Sequence, residues 1–84
     1  MDLGDAIITG HGAGRIKERR IEPDQVRAVL ERPEQVRPVR EGRVVAQAVV
    51  GGRLLRVFVD VDRTPPEVVT AYRTSRIDKY RSAP

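Results

Sequence analysis

Gly51-Gly52, set between Arg43 to Val50 and Arg53 to Val61, restricts what this chain can become more than any other stretch. Both flanks are runs rich in branched aliphatic residues and long enough for strands. A two-residue glycine loop accepts the positive φ angles that a tight hairpin needs. The loop also sets a register, with Val50 opposite Arg53 and each further pair fixed outward from there. Val44 with Val59, Ala46 with Val57 and Ala48 with Leu55 then share one wholly apolar face. Arg43 with Asp60, Val45 with Phe58, Gln47 with Arg56 and Val49 with Leu54 share the other. A slip of one residue would mix the two faces, so the residues themselves specify the pairing. One face asks for a cover of helices; the other is mixed, with an ion pair at one end.

The flanking sequence supplies that cover. Thr9 is a candidate N-cap for a helix reaching Arg20, with Ile16 and Ala13 turned inward. Gly10, Gly12 and Gly14 suit its first turn, where free backbone N–H groups could approach an anion. Pro23 and Asp24 restart a helix that Pro33 ends; Val26, Val29 and Leu30 form its apolar stripe, and Arg27 and Glu31 its wet side. Gln35 to Arg40 reads as an edge strand that tolerates Pro38, and Glu41-Gly42 as a turn. Glu67 to Thr74 returns as a further strand. Val69 and Ala71 inward would leave Val68, Thr70, Tyr72 and Thr74 on the open face; the reverse would place Arg73 there. Ser75 to Arg81 is a basic tail in which Arg76, Lys79 and Tyr80 would share a face of a short helical turn. The expectation is an α+β domain over residues 1–84, two N-terminal helices packed on a four-stranded antiparallel sheet, with residues 1–8 only loosely tied down.

Composition narrows the chemistry. Eighty-four residues without cysteine give a thin single core with neither disulfides nor thiol catalysis, and one histidine argues against a zinc site. No cofactor is expected, since no Walker loop follows the glycines. No apolar run approaches the roughly 20 residues of a membrane helix, and no signal peptide is legible, so the expectation is a cytoplasmic protein without membrane contact. Sixteen basic residues stand against 12 acidic ones, giving a net charge of +4 and a pI near 10.3. Fourteen of the basic residues are arginine, the bidentate partner of phosphate, which nominates a polyanion; a genome that favours arginine codons would write the same composition.

The single histidine opens the line His11, Arg15, Arg19. Four-residue spacing on a helix stacks these on one face, about 6 Å between successive members. A titratable ring followed by two permanent cations could move a proton and hold an anion; it could equally be a solvated face. Metal-free RNA cleavage needs a base for the ribose 2′-hydroxyl, cations for the charged phosphorane and an acid for the leaving oxygen. His11 is the only side chain that ordinarily titrates near neutrality. Arg15 and Arg19 are the candidate phosphate clamps, with Arg73 or Arg76 approaching from the last strand and tail. Tyr72 or Tyr80 could supply a hydroxyl or a surface on which an unpaired base stacks, and Arg56 and Lys79 add candidate substrate contacts.

The series His11, Arg15, Ile16, Arg19, Ile21, then Val26 and Val29 before Pro33, then Arg43-Val44-Val45-Ala46-Gln47, and finally Thr70 to Thr74 with Lys79-Tyr80, resembles a family of small bacterial domains of unknown function. That family is related in architecture to the RelE, ParE and BrnT toxins. The resemblance spans nearly the whole chain after Gly10 and departs at Arg20, where the family commonly has glycine. It implies a RelE-like, barnase-like fold and a place in toxin–antitoxin pairs. Activity is not implied uniformly, because RelE-like members include ribosome-dependent messenger RNA cleavers whereas ParE-like members act on gyrase. The expected function is therefore a toxin-like, metal-independent endoribonuclease whose partners are RNA, on or off the ribosome, and an acidic antitoxin. The alternative is a non-catalytic module of the same fold that binds nucleic acid or protein.

Overall fold

The computed structural model describes residues 2–81; Met1 and 82–84, the outermost ends of the expected domain, lie outside the described residues. Its elements run β1 (Ile7–Ile8), α1 (Gly10–Glu18), α2 (Pro23–Glu31), β2 (Gln35–Arg40), β3 (Arg43–Val50), β4 (Arg53–Asp60), β5 (Glu67–Thr74) and α3 (Ile77–Arg81). The strands form one sheet in the order β1-β5-β4-β3-β2. Gly51 and Gly52 both take positive φ, 60° and 82°, and all eight pairs of the β3–β4 hairpin have the register expected from the sequence.

The expected four-stranded antiparallel sheet is overturned by the first strand. β1 pairs with β5 in parallel, making the sheet five-stranded and mixed. Two residues are too few to show an alternating pattern, so Ile7-Ile8 reads only as an apolar pair in sequence. The stretch expected to be loose also places Leu3 and Ala6 in the core, each about 1% exposed. Arg27 holds it there, donating from Nη1 to the carbonyls of Gly4 (3.2 Å) and Ala6 (2.7 Å) instead of pairing with Glu31 on a wet face.

α1 and α2 cover the apolar face. Ile16, Ile21, Val26, Val29 and Leu30 pack with Val44, Ala46, Ala48, Leu55, Val57 and Val59 of the hairpin in one cluster. Thr9 caps α1, its hydroxyl accepting from the Gly12 N–H at 3.1 Å. The third helix lies against the opposite face, where Gln47 donates to the Tyr80 carbonyl at 2.8 Å. The mixed face is consequently half covered: Val45, Gln47 and Leu54 are all buried there. β5 carries a bulge, since Phe58 faces Thr70 while the next residue, Val59, faces Val68. Val69 is therefore extra, and Val68 and Ala71 rather than Val69 and Ala71 belong to the core.

Candidate functional site

β1 pairs only with Glu67 and Val68, so among the described residues the outer edge of β5 has no strand beside it from Val69 onward. α1 lies over this edge. Arg19 closes part of it: its Nη1 donates to the Ala71 carbonyl and to the Thr70 hydroxyl, both at 2.8 Å. The arginine line of α1 can thus reach around the rim of the sheet to the face opposite the core.

There it meets the sheet. His11, Arg15 and Arg19 from α1 line a cavity of about 490 Å³ together with Arg43, Phe58, Val69, Thr70 and Tyr72. His11 and Arg15 are exposed, and neither side chain has a hydrogen-bond or ion-pair partner among the described residues. The floor is aromatic: the Phe58 and Tyr72 rings lie nearly parallel, 16° apart in plane and 5.9 Å between centroids. The cavity therefore offers a proton-transfer group, cationic donors and a flat apolar surface within one concavity.

At one end Arg43 forks onto Asp60, Nε to Oδ1 at 2.6 Å and Nη2 to Oδ2 at 3.3 Å. That hydrogen-bonded pairing holds the Asp60 carboxyl below its ordinary pKa against the opposing effect of burial, so it is an anion at neutral pH. Beyond Tyr72 the network turns inward. Arg56 Nη1 donates to the Tyr72 hydroxyl at 2.6 Å and Nε donates to Gln47 Oε1 at 2.9 Å, while its guanidinium sits 4.2 Å from the Tyr80 ring centroid. Gln47, fully buried, donates to Gln35 Oε1 as well as to the Tyr80 carbonyl, and Gln35 donates to the Arg81 carbonyl. The Tyr80 phenol is held below its usual pKa by the neighbouring Tyr72 hydroxyl and by the charge of Lys79.

The candidate residues thus separate into groups. His11, Arg15, Arg19 and Tyr72 come together. Arg73 does not join them: it is opposite Leu55, so it projects toward the helix side, where its Nη2 donates to the Arg19 carbonyl at 3.1 Å. There it satisfies the C-terminal end of α1. Arg56 and Tyr80 belong to the network under α3, and Arg76 and Lys79 line a separate polar hollow of about 380 Å³ along that helix. Arg43, Phe58, Val69 and Thr70 are cavity residues absent from the set nominated by sequence. The shared face of Arg43 and Phe58 was legible from the hairpin register, while the facing of the β5 residues was left open; what sequence could not show was that a short β1 leaves the β5 edge open to α1.

Among the described residues no helix is long and apolar enough to cross a membrane. No curated protein and no solved structure matches the chain. A family model for a domain of unknown function does match, over residues 8–73, a span that holds every cavity residue and leaves α3 outside. On that match, which takes in most of its length, the chain belongs to the DUF4258 family.

Proposed function

We propose that this cavity binds the phosphodiester backbone of RNA and cleaves it without a metal, with His11 as the proton-transfer group. The observation that carries the reading is the meeting of His11 and Arg15 with the Phe58 and Tyr72 rings in one concavity. The His11 imidazole takes the proton of a ribose 2′-hydroxyl, and the 2′-oxygen attacks the adjacent phosphorus. The bond to the 5′-oxygen breaks, and that oxygen takes a proton from the imidazolium or from water. The products are a 2′,3′-cyclic phosphate and a 5′-hydroxyl. Arg15 neutralises the charge gathering on the non-bridging oxygens, and Arg19 adds a fixed positive potential at the rim. Tyr72 offers its ring to a base; its hydroxyl is engaged by Arg56. Arg76, Lys79 and Tyr80 are assigned to substrate beyond the cavity. On the resemblance to RelE-like toxins, an acidic antitoxin would cover this basic face.

A specific observation favours a second reading. Arg19, Arg56 and Arg73 all spend donors on internal acceptors, which leaves fewer groups for transition-state work and suits a non-catalytic surface for nucleic acid or protein. Incubating the protein with free RNA and with translating ribosomes separates the two. Catalysis predicts new 2′,3′-cyclic ends, formed at least about 100-fold more slowly by His11→Ala with an unchanged melting temperature. Salt-sensitive RNA binding without any cleavage would leave the binding module standing alone.

A further inference from the structure

We propose that Arg43 is an anion-contacting side chain of the cavity, held on aim by Asp60, an inference that rests on reading the cavity as a site for RNA phosphate. Arg43 and Asp60 are direct cross-strand partners, and the ion pair could be taken as nothing more than a fastener between β3 and β4. The donor geometry says more. A guanidinium carries five N–H bonds, one on Nε and two on each Nη. Asp60 engages Nε and Nη2, and Nη1 makes no hydrogen bond among the described residues. The end of the fork is therefore still vacant, and it presents the parallel pair of donors that two phosphate oxygens accept. The Arg43 side chain keeps 28% of its surface exposed while its partner Asp60 keeps 8%, so the carboxylate is the buried holder and the guanidinium the presented group. Arg43 also lines the same cavity as His11 and Arg15.

Position gives this contact its use. Neighbouring strands stand roughly 4.8 Å apart, so the backbone of β3 lies about 10 Å across the sheet from β5, where α1 delivers His11 and Arg15. A ligand touching both ends must extend across three strands and over the Phe58 and Tyr72 rings. That span fits a nucleic-acid strand with more than one phosphate better than a single small anion. Asp60 is a positioning residue in this scheme: it cancels the long-range charge of Arg43 and retains its short-range, directional donors.

The test uses the full chain and a short single-stranded oligodeoxynucleotide, which lacks the 2′-hydroxyl and cannot be cut by the step proposed above. The Arg43→Gln/Asp60→Asn double variant leaves the net charge unchanged. It is expected to bind about tenfold more weakly, with a log–log salt slope shallower by about 0.7, the loss of one phosphate contact. Asp60→Asn alone is expected to weaken binding because the fork loses its aim; tighter binding there would mean that Asp60 merely neutralises Arg43 and would overturn the positioning role. Should the double variant fail to fold, Arg43→Lys keeps the charge and an ion pair with Asp60 but not the fork, and is expected to weaken binding too. A wild-type protein that does not bind the strand sinks the phosphate-site reading itself. Binding that Arg15→Ala weakens but the Arg43 variants leave unchanged, in affinity and in slope, overturns this inference alone.

Discussion

Gly12 sets how closely α1 approaches the sheet, and so whether His11 and Arg15 reach over its rim. A Cβ built there would overlap the Val68 carbonyl oxygen and stand 3.2 Å from the carbonyl carbon, and a strand backbone cannot give way as a side-chain tip can. Sequence suggested that Gly10, Gly12 and Gly14 open N–H groups to an anion. Instead the Gly12 N–H is taken by the Thr9 hydroxyl, which also donates to the Val68 carbonyl at 3.3 Å, and the Ala13 N–H by the Thr9 carbonyl. Gly12 thus serves contact, while Gly10 and Gly14 have nothing within 4 Å of an added methyl. Gly12→Ala is expected to destabilise the fold: overpacking costs about 1–3 kcal/mol, more where backbone is the obstacle, against at most about 1 kcal/mol of gained helix propensity. Gly14→Ala has only the propensity gain and should stabilise by about 0.5–1 kcal/mol. Chemical denaturation of both variants checks the pair, and equal shifts of the same sign would defeat the close-approach argument. Nucleic-acid binding should weaken in Gly12→Ala and not in Gly14→Ala.

The end of α1 carries a different backbone demand. The Arg20 N–H donates to the Lys17 carbonyl and the Ile21 N–H to the Ile16 carbonyl, both at 3.0 Å, which is the paired closure of a Schellman motif, and Ile16 and Ile21 are both buried. Arg20 stands at the left-handed position with φ 56°, the only described non-glycine residue there. An L residue pays roughly 1–2 kcal/mol for that conformation, and glycine loses part of the difference to its greater unfolded-state freedom. Arg20→Gly is therefore expected to raise stability by about 0.5–1 kcal/mol, read as a higher urea midpoint at unchanged slope. A lower midpoint would mean that the exposed Arg20 side chain earns its place by some contact other than the turn. The other elements show how much the sequence discloses. The β3–β4 register was legible in every pair because a two-residue loop and opposite face chemistry over-determine it. The fate of β5 was not: a bulge at Val69 restores the core face to Val68, and no residue type announces a bulge. The bulge moves only Val68 and Val69: Thr70, Tyr72 and Thr74 on the open face and Arg73 on the helix side follow the first of the two assignments, a choice the sequence left open. The His11, Arg15, Arg19 line does run along one side of α1, although the helix ends at Glu18 and Arg19 is its C-cap, not a residue of a helix reaching Arg20; whether that side met the sheet depended on β1 ending after two residues.

Over the molecule as a whole, cohesion is unevenly shared between the two sides of the sheet. The helix-covered side holds one apolar cluster that draws on α1, α2 and four strands. The other side is closed by α3, five residues with none buried, held by amide donors from Gln47 and Gln35, by the Tyr80 ring over Arg56, and by an exposed Arg81–Glu34 pair at 3.6 Å. A helix that short has no stability of its own, the pair is worth well under 1 kcal/mol, and the cation–π contact adds about 0.5–1 kcal/mol. α3 should therefore open at a cost of about 1–3 kcal/mol, far below the 5 kcal/mol or more of global unfolding. The sequence supplies a clean probe, because its only lysines are Lys17 in α1 and Lys79 in α3. A lysine-specific protease should cut after Lys79 on the native protein at least about 100-fold faster than after Lys17, which is flanked by the core residues Ile16 and Ile21 and requires unfolding of the main cluster. Tyr80→Ala, corrected for the protease's preference on unfolded peptides of the two sequences, should speed the Lys79 cut about fivefold for the loss of about 1 kcal/mol, with the thermal midpoint nearly unmoved. Equal cutting rates at the two lysines would mean that α3 shares the stability of the main core. The Arg56, Gln47 and Tyr72 network would then be a second rigid layer, and not a surface from which α3 can lift to extend the His11 cavity along the sheet.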